Sequence, residues 1–266
     1  MIIDSCELYN EDCLLKMSDI PNKSIDMILC DLPYGTTQCK WDVIIPFDPL
    51  WKQYSRIIKD NGAVVLFGSE PFSSMLICSN IKKFKYNWIY QKNKCTGFLN
   101  AKKQPLNDYE VISVFYNSQC TYNPQMTTAK TVYKRGMVIR NKEQNIQQSD
   151  NYGTQKPFMQ IETGFRYPKR IQYFDNNFTK EQQHPTQKPV ALMEYLIKTY
   201  TNEDDIVLDN CMGSGTTGVA CINTGRKFIG MEWNPENGKH DVYFNISVER
   251  IKQAIKYKKE EQIELF

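Results

Sequence analysis

The sequence predicts an α/β fold: a doubly wound sheet with helices on both faces and a small inserted lobe. Three observations predict it. Short apolar runs alternate with stretches of helical spacing over most of the 266 residues. Residues 205–232 read as a compact strand, glycine-rich turn, helix and strand, which implies a parallel pair. From about 118 to 180 that periodicity fades and Gln, Asn, Thr and Tyr dominate, so this stretch reads as an insertion.

The elements follow in order. Cys6 to Tyr9 reads as a short strand, and Asp12 precedes a helical stretch, Cys13 to Met17. Ser24 to Cys30 reads as a buried strand that Pro33 stops. Asp48 to Lys59 carries Leu50, Trp51, Tyr54, Ile57 and Ile58 at helical spacing, and Asn61-Gly62 reads as the stop of that helix. Ala63 to Phe67 is the next strand and Pro71 to Cys78 the next helix; Tyr86 to Gln91 and Val111 to Tyr116 complete the first strand series. Tyr133, Tyr152, Phe158, Phe165, Tyr167 and Phe174 favour an ordered lobe over a flexible linker in the insertion. Regular structure returns with a helix over Pro189 to Tyr200 and a strand over Asp205 to Leu208. A helix over Thr216 to Asn223 closes at Gly225, a strand covers Phe228 to Glu232, and an amphipathic helix runs from about Asp241 to Lys258. The chain therefore divides as 1–117, an insertion 118–183, and 184–266.

Composition narrows the function classes. Hydrophobic residues make up 41% and charged residues 24%, as in a globular protein with one sizeable core. No run of eighteen apolar residues exists, so no membrane span is expected, and Met1 to Cys6 lacks the start of a signal peptide. The nine cysteines are scattered without a Cys-x-x-Cys pair, and His184 and His240 lie far from one another and from any cysteine pair. A metal site or disulfide framework is not expected, and a reducing cytoplasm fits best. Residues 80–183 hold 17 Lys/Arg against 7 Asp/Glu, within a chain of net charge +3. A basic stretch mixed with Tyr, Asn and Gln suits phosphate contacts and polar base readout, although a solvated basic surface is the plainer reading.

Two short segments carry chemistry. In the first, Gly213, Gly215 and Gly218 form G-x-G-x-x-G between a strand and a helix, where the backbone can approach a ligand closely. Glu232 ends the following strand, where a carboxylate can accept from both hydroxyls of a ribose. A nicotinamide dehydrogenase shares this pattern. Against it, no complete dinucleotide domain follows, and Asp209, Ser214, Thr216 and Thr217 make a short polar loop suited to an amino-acid tail with an ammonium group. The second segment is Asp31-Leu32-Pro33-Tyr34 at the end of an apolar strand. The exocyclic amino nitrogen of a base is a poor nucleophile, because its lone pair is delocalised into the ring. The Asp31 carboxylate and the Leu32 carbonyl can together hold both N–H bonds. Pro33 fixes the turn that aims that carbonyl, and Tyr34 can stack on a base taken out of a duplex. A strand ended by a proline turn is the bland alternative.

With those residues in view, the chain resembles the β-type amino-group DNA methyltransferases, in which the catalytic turn precedes the recognition region and the cofactor turn comes last. The resemblance spans most of the chain except roughly 118–163, and its most specific stretch is His184-Pro185-Thr186-Gln187-Lys188-Pro189 with Asp209 to Thr217 and Glu232. It implies a Rossmann-like sheet of seven strands, the last antiparallel, with a catalytic half, a target-recognition insertion and a cofactor-binding half. It implies S-adenosylmethionine as cofactor, S-adenosylhomocysteine as product, and no metal. Asp31, Leu32, Pro33 and Tyr34 match the catalytic turn. Asp209, Asn210, Cys211, Gly213, Ser214, Gly215, Thr216 and Thr217 match the methionine-binding loop, with Thr186 and Lys188 in the segment that closes over it. Glu232 matches the ribose-binding acid with Trp233 beside it, and Asp12 stands where the family places an acid near the cofactor adenine, a role even with that of an N-cap.

Leu32 replaces the family's commoner proline, and Asn210-Cys211 replace its usual Pro-Phe, which removes an aromatic wall beside the cofactor. The expected DNA contacts are Lys92, Arg135, Arg140, Arg166, Lys169 and Arg170. Asp rather than Ser at position 31 favours adenine N6 as the methylated atom, with cytosine N4 as the alternative. A non-catalytic DNA-binding protein on the same scaffold stays open through Cys211. Double-stranded DNA is the expected substrate, and a homodimer and a cognate restriction enzyme are partners the resemblance allows, in a prokaryotic or phage-type setting with no membrane.

Overall fold

The structure, a computed structural model, describes residues 1–37, 39, 42–128, 148–149, 153–154, 164–175, 187–233 and 242–264. Residues 1–123 and 169–266 form one compact unit and residues 124–168 a second. Among the described residues, the second unit holds two short antiparallel pairs. One joins β7 (Thr127–Thr128) to β10 (Phe165–Arg166), and the other joins β8 (Gln148–Ser149) to β9 (Gly153–Thr154).

The first unit is built on one sheet. Its strands are β1 (Ile2–Ile3), β2 (Cys6–Tyr9), β3 (Ile25–Cys30), β4 (Ile58–Gly68), β5 (Phe84–Thr96), β6 (Asn107–Phe115), β11 (Ile171–Phe174), β12 (Ile206–Asp209) and β13 (Lys227–Met231). They lie in the order β1-β2-β13-β12-β3-β4-β6-β5-β11. From β2 to β4 all neighbours are parallel, and β6 runs against both β4 and β5. The seven strands from β2 to β5 form the expected sheet, and the antiparallel one is the last before the insertion. Two strands extend it. β1 folds back on β2, and β11 adds in parallel to β5 at the far edge.

Helices cover both faces, as a doubly wound sheet requires. Side chains alternate along the central strands with the period of two that a pleat imposes. Met27 and Leu29 of β3 and Ala63, Val65 and Phe67 of β4 join a core with α4 (Val190–Tyr200), α5 (Thr216–Thr224) and α6 (Val242–Glu264). Ile28, Cys30, Val64 and Leu66 face the other way, toward α1 (Cys13–Lys16), α2 (Phe47–Ile57) and α3 (Phe72–Ser79).

The boundary between α2 and β4 differs from expectation. Helix α2 ends at Ile57, not at Asn61-Gly62, and residues 58–62 are already strand β4. The strand starts early because Ile58 pairs with Ile25 across a bulge that leaves Asp26 between them. Asp26 accepts from Lys59 Nζ at 2.6 Å and from the Ile206 backbone at 3.0 Å, which ties three strands together. A side chain at Gly62 would lie 2.8 Å from the Asp26 carbonyl, so this glycine serves close strand contact rather than a helix end.

The strand order reverses direction between β12 and β3. From β12 the chain winds through α5 to β13, and from β3 through α2 to β4 on the opposite side. Val207 pairs with Met27 and Leu208 with Ile28, so the carboxyl ends of these two strands, carrying Asp209 and Asp31, stand next to each other. In open α/β sheets that switch point is where ligands bind.

Candidate active site

The glycine-rich turn is held by backbone geometry and buried polar partners. Gly213 and Gly215 adopt φ of +52° and +77°, a region that other residues enter only with strain. A Cβ on Gly215 would fall 2.8 Å from that of Ser247 on α6, whereas none of the neighbouring atoms would lie within 4 Å of one on Gly213. The turn is thus packed on its inner side and open at Gly213, where a ligand can approach the backbone. Arg250 of α6 pins it from below, donating to the Ser214 carbonyl at 2.6 Å, Ser214 Oγ at 3.0 Å and Thr216 Oγ1 at 3.2 Å.

Two acids flank the turn. Asp209 is only 3% exposed, and its oxygens accept from the Cys211 backbone at 3.1 Å and Thr217 Oγ1 at 2.5 Å. Burial raises its pKa to about 6 against those hydrogen bonds. Glu232 Oε2 accepts from the Gly213 backbone at 2.9 Å, and burial lifts its pKa to about 7. Glu232 therefore reaches the open side of the glycine turn, while Asp209 is spent on holding the turn's shape.

The Asp-Leu-Pro-Tyr turn is held by side chains. Tyr34 stacks on Phe72 with ring centroids 5.0 Å apart, and its hydroxyl donates to Asp31 Oδ1 at 2.5 Å. Burial pushes the Tyr34 hydroxyl well above its usual range, so it stays a donor. Asp31 Oδ2 accepts from Lys188 Nζ at 2.5 Å. After Tyr34 the chain wraps around Asp42, whose carboxylate accepts from the backbones of Gly35, Thr36 and Thr37 at 2.8, 2.9 and 2.7 Å. Burial opposes ionisation there, but these hydrogen bonds outweigh it and the pKa is lowered.

A third segment joins the two turns. Lys188 reaches Asp31, while Ser214 Oγ donates to Gln187 Oε1 at 3.5 Å. Lys188 is 9% exposed and also pairs with Glu110 Oε2 at 3.0 Å; Glu110 in turn pairs with Lys92 at 3.4 Å. Burial pulls the Lys188 pKa down, but the two carboxylates more than offset it, so the ammonium stays charged.

The remaining expected residues are placed as follows. Leu32 is buried and Pro33 half-buried in the turn. Asp12 caps α1, its Oδ1 accepting from the backbones of Leu14 and Leu15 at 2.8 and 3.1 Å, so the capping role is the one observed. Asn210 is buried and accepts from the Tyr54 hydroxyl at 2.5 Å, and Cys211 packs in contact with the thiols of Cys13 and Cys30. Trp233 is 49% exposed just past β13. Lys92 pairs inward with Glu110 instead of facing solvent. Arg166 is exposed in the second unit; Lys169 and Arg170 are exposed in the first, with Arg170 5.8 Å over the Tyr86 ring. Thr186, Arg135 and Arg140 lie outside the described residues, as does His184. Sequence reasoning missed Asp42, Glu110 and Arg250. Among the described residues no group of three or more His, Cys, Asp or Glu is arranged to hold a metal, and no helix is long and apolar enough to cross a membrane.

The arrangement offers a ribose-competent acid, an open backbone turn and a carboxylate one strand away. These features suit a nucleoside cofactor with an amino-acid tail beside an acceptor for an amino group. Comparisons with known proteins point the same way. A family model for N6/N4 methyltransferases, described as DNA methylase, matches residues 25–240. The DNA adenine methyltransferase YhdJ of Escherichia coli (strain K12) is 29% identical over 272 residues, 96% of this chain and 85% of that protein. Type II methyltransferase M1.MboII of Moraxella bovis is 27% identical over 86% of this chain and 92% of its own length. The fold matches the solved M1.HpyAVI–SAM complex (TM-score 0.60, 24% identity, 92% of this chain and 98% of that one). It also matches the cytosine-N4-specific PvuII DNA methyltransferase (TM-score 0.62, 16% identity, 92% and 86%).

Proposed function

The chain belongs to the N6/N4 DNA methylase family, and from that premise we propose that it transfers a methyl group from S-adenosylmethionine to N6 of adenine in double-stranded DNA. One observation carries the reading. The carboxylate of Asp31 stands at the switch point beside the strand that ends in the open glycine turn, which supports reading the two as acceptor and cofactor loop of one site.

The cofactor supplies an electrophilic methyl on a sulfonium sulfur. The protein's part is to bind, orient and accept. Glu232 would exchange its Gly213 partner for ribose hydroxyls, and the backbone at Gly213 to Thr217, with Gln187 and Lys188 above, would line the amino-acid tail. Asp31 and the Leu32 carbonyl would hold the two amino hydrogens, favouring a pyramidal nitrogen whose lone pair faces the methyl. The nitrogen would gain the methyl as the carbon–sulfur bond breaks with its electron pair left on sulfur, and would lose one proton, which Asp31 would take and pass to water. Tyr34 would stack on the extruded base. Gains of this kind come from positioning and electrostatics. Arg166, Lys169 and Arg170 are the proposed phosphate contacts, and Arg135 and Arg140 stay proposals from the sequence. A homodimer and a cognate restriction enzyme are proposed partners.

Asp at position 31 and the name of the Escherichia coli relative support adenine; the cytosine-N4 enzyme of the same fold is the rival. Incubation with labelled S-adenosylmethionine and unmethylated DNA, followed by nucleoside digestion and mass spectrometry, separates them. N6-methyladenine is expected. N4-methylcytosine would move the substrate and keep the mechanism, and cofactor binding without any product would refute catalysis.

A further inference from the structure

Both oxygens of Asp31 already have partners: the Tyr34 hydroxyl on one and Lys188 on the other, each at 2.5 Å. A carboxylate locked to a buried ammonium is a weak acceptor for an amino hydrogen, because the cation draws off its charge. Lys188 is not locked to Asp31 alone. Its nitrogen also lies 3.0 Å from Glu110 on β6, and Glu110 is itself balanced by Lys92. The Lys188 ammonium sits 5.2 Å over the Phe67 ring, which leaves it between two carboxylates with no need to reach solvent. The cation can shift toward either acid with little cost in burial, since both destinations lie within ion-pair range.

We propose that Glu110 is a positioning residue for methyl transfer: it takes up the charge of Lys188 when the target amino group engages Asp31, so that Asp31 Oδ2 is released to accept. The proposal rests on the reading of Asp31 as the amino-group acceptor. It assigns a role to a residue that neither segment of the sequence motif contains. Lys92 completes the set by keeping Glu110 ionised before and after the handover. Tyr34, Cys30 and Asp209 lie within electrostatic reach of Asp31, and Tyr90 within reach of Lys188 and Glu110.

The test is a cycle of Glu110→Gln, Lys188→Met and the double variant, assayed on DNA at saturating cofactor from pH 6 to 10. Glu110→Gln should lower kcat by roughly 10- to 100-fold, the scale of a misplaced reacting group, with KM for DNA and Kd for the cofactor within about twofold of wild type. Lys188→Met should lower kcat, because it removes the cation that links Asp31 to Glu110. In that background Glu110→Gln should cost nothing further, since the cation whose charge Glu110 takes up is gone. Glu110→Asp should recover activity that Glu110→Gln loses. A full-cost, additive effect of Glu110→Gln in the Lys188→Met background would overturn the proposal, as would an unchanged kcat. A loss confined to melting temperature or KM would also overturn it. Asp31→Asn separates the two readings: if that variant stays active, the premise about Asp31 fails. If it is dead while Glu110→Gln is normal, only the role of Glu110 fails.

Discussion

The two turns of the site lie one strand apart yet are held in opposite ways. The glycine turn owes its shape to backbone: two left-handed glycines, a close pack against Ser247, and Arg250 on its carbonyl. The Asp31 to Tyr34 turn owes its shape to side chains that occupy the very atoms the proposed chemistry would use. The first has one contact to release when a ligand arrives, that of the Gly213 backbone with Glu232, and keeps its shape. The second must give up a partner before it can act. Preformed backbone sites favour affinity, and a carboxylate that must be freed ties reaction to the arrival of the correct base.

Variants test that contrast. Asp31→Ala should reduce methyl transfer by about 10²- to 10⁴-fold while cofactor binding by calorimetry stays near wild type. Parallel losses of both would mean the turns are one unit and the contrast is wrong. Gly215→Ala should do the reverse. It combines φ of +77° with a collision at Ser247, and should cost about 1–3 kcal/mol of stability and weaken cofactor binding, read by thermal melting and calorimetry.

Proton titration sharpens the same point. Glu232, with its pKa near 7, should bind ribose hydroxyls only as the anion, so cofactor affinity should rise about tenfold per pH unit below that value and level off above it. The empty fold should trend the other way. Glu232 and Asp209 have folded-state pKa values raised above those of the unfolded chain, to about 7 and about 6. The stability linked to them is full in the acid range below the ordinary carboxylate values and is lost as pH rises through those two values. Melting curves with and without cofactor from pH 5 to 9 would show the opposed slopes, and parallel slopes would remove Glu232 from the ribose site. The smallest effect belongs to Asp12→Ala, which should cost about 1 kcal/mol of stability through the lost cap and leave cofactor affinity unchanged.

These contrasts also explain what was legible in the sequence. The glycine turn with Glu232, and the Asp31 to Tyr34 turn, were readable because each is a local strand-to-turn device whose residues adjoin. Helix α2 was overrun because Ile57 and Ile58 continue its apolar pattern, and only pairing with Ile25 shows where the strand begins. Strand β11 was missed because Ile171, Gln172, Tyr173 and Phe174 sit at a sheet edge, short and half exposed, with no apolar run to mark them. Glu110, Asp42 and Arg250 gave no signal, since their roles exist only through partners that the fold brings to them. Glu110 meets Lys188 from a distant strand, and Arg250 meets Ser214 from the last helix.

The pairing of β12 with β3 has a practical consequence. Asp31 and Gly213 come from stretches far apart in the chain and meet only across that strand pair. A chain divided between Asn123 and Lys169 leaves one fragment with Asp31, the proposed acceptor, and the other with the glycine turn, so neither alone holds the proposed site. Fused to two proteins that associate, such fragments would write methyl marks on DNA only where the fusion partners meet, turning a strand pair into a recorder of molecular proximity.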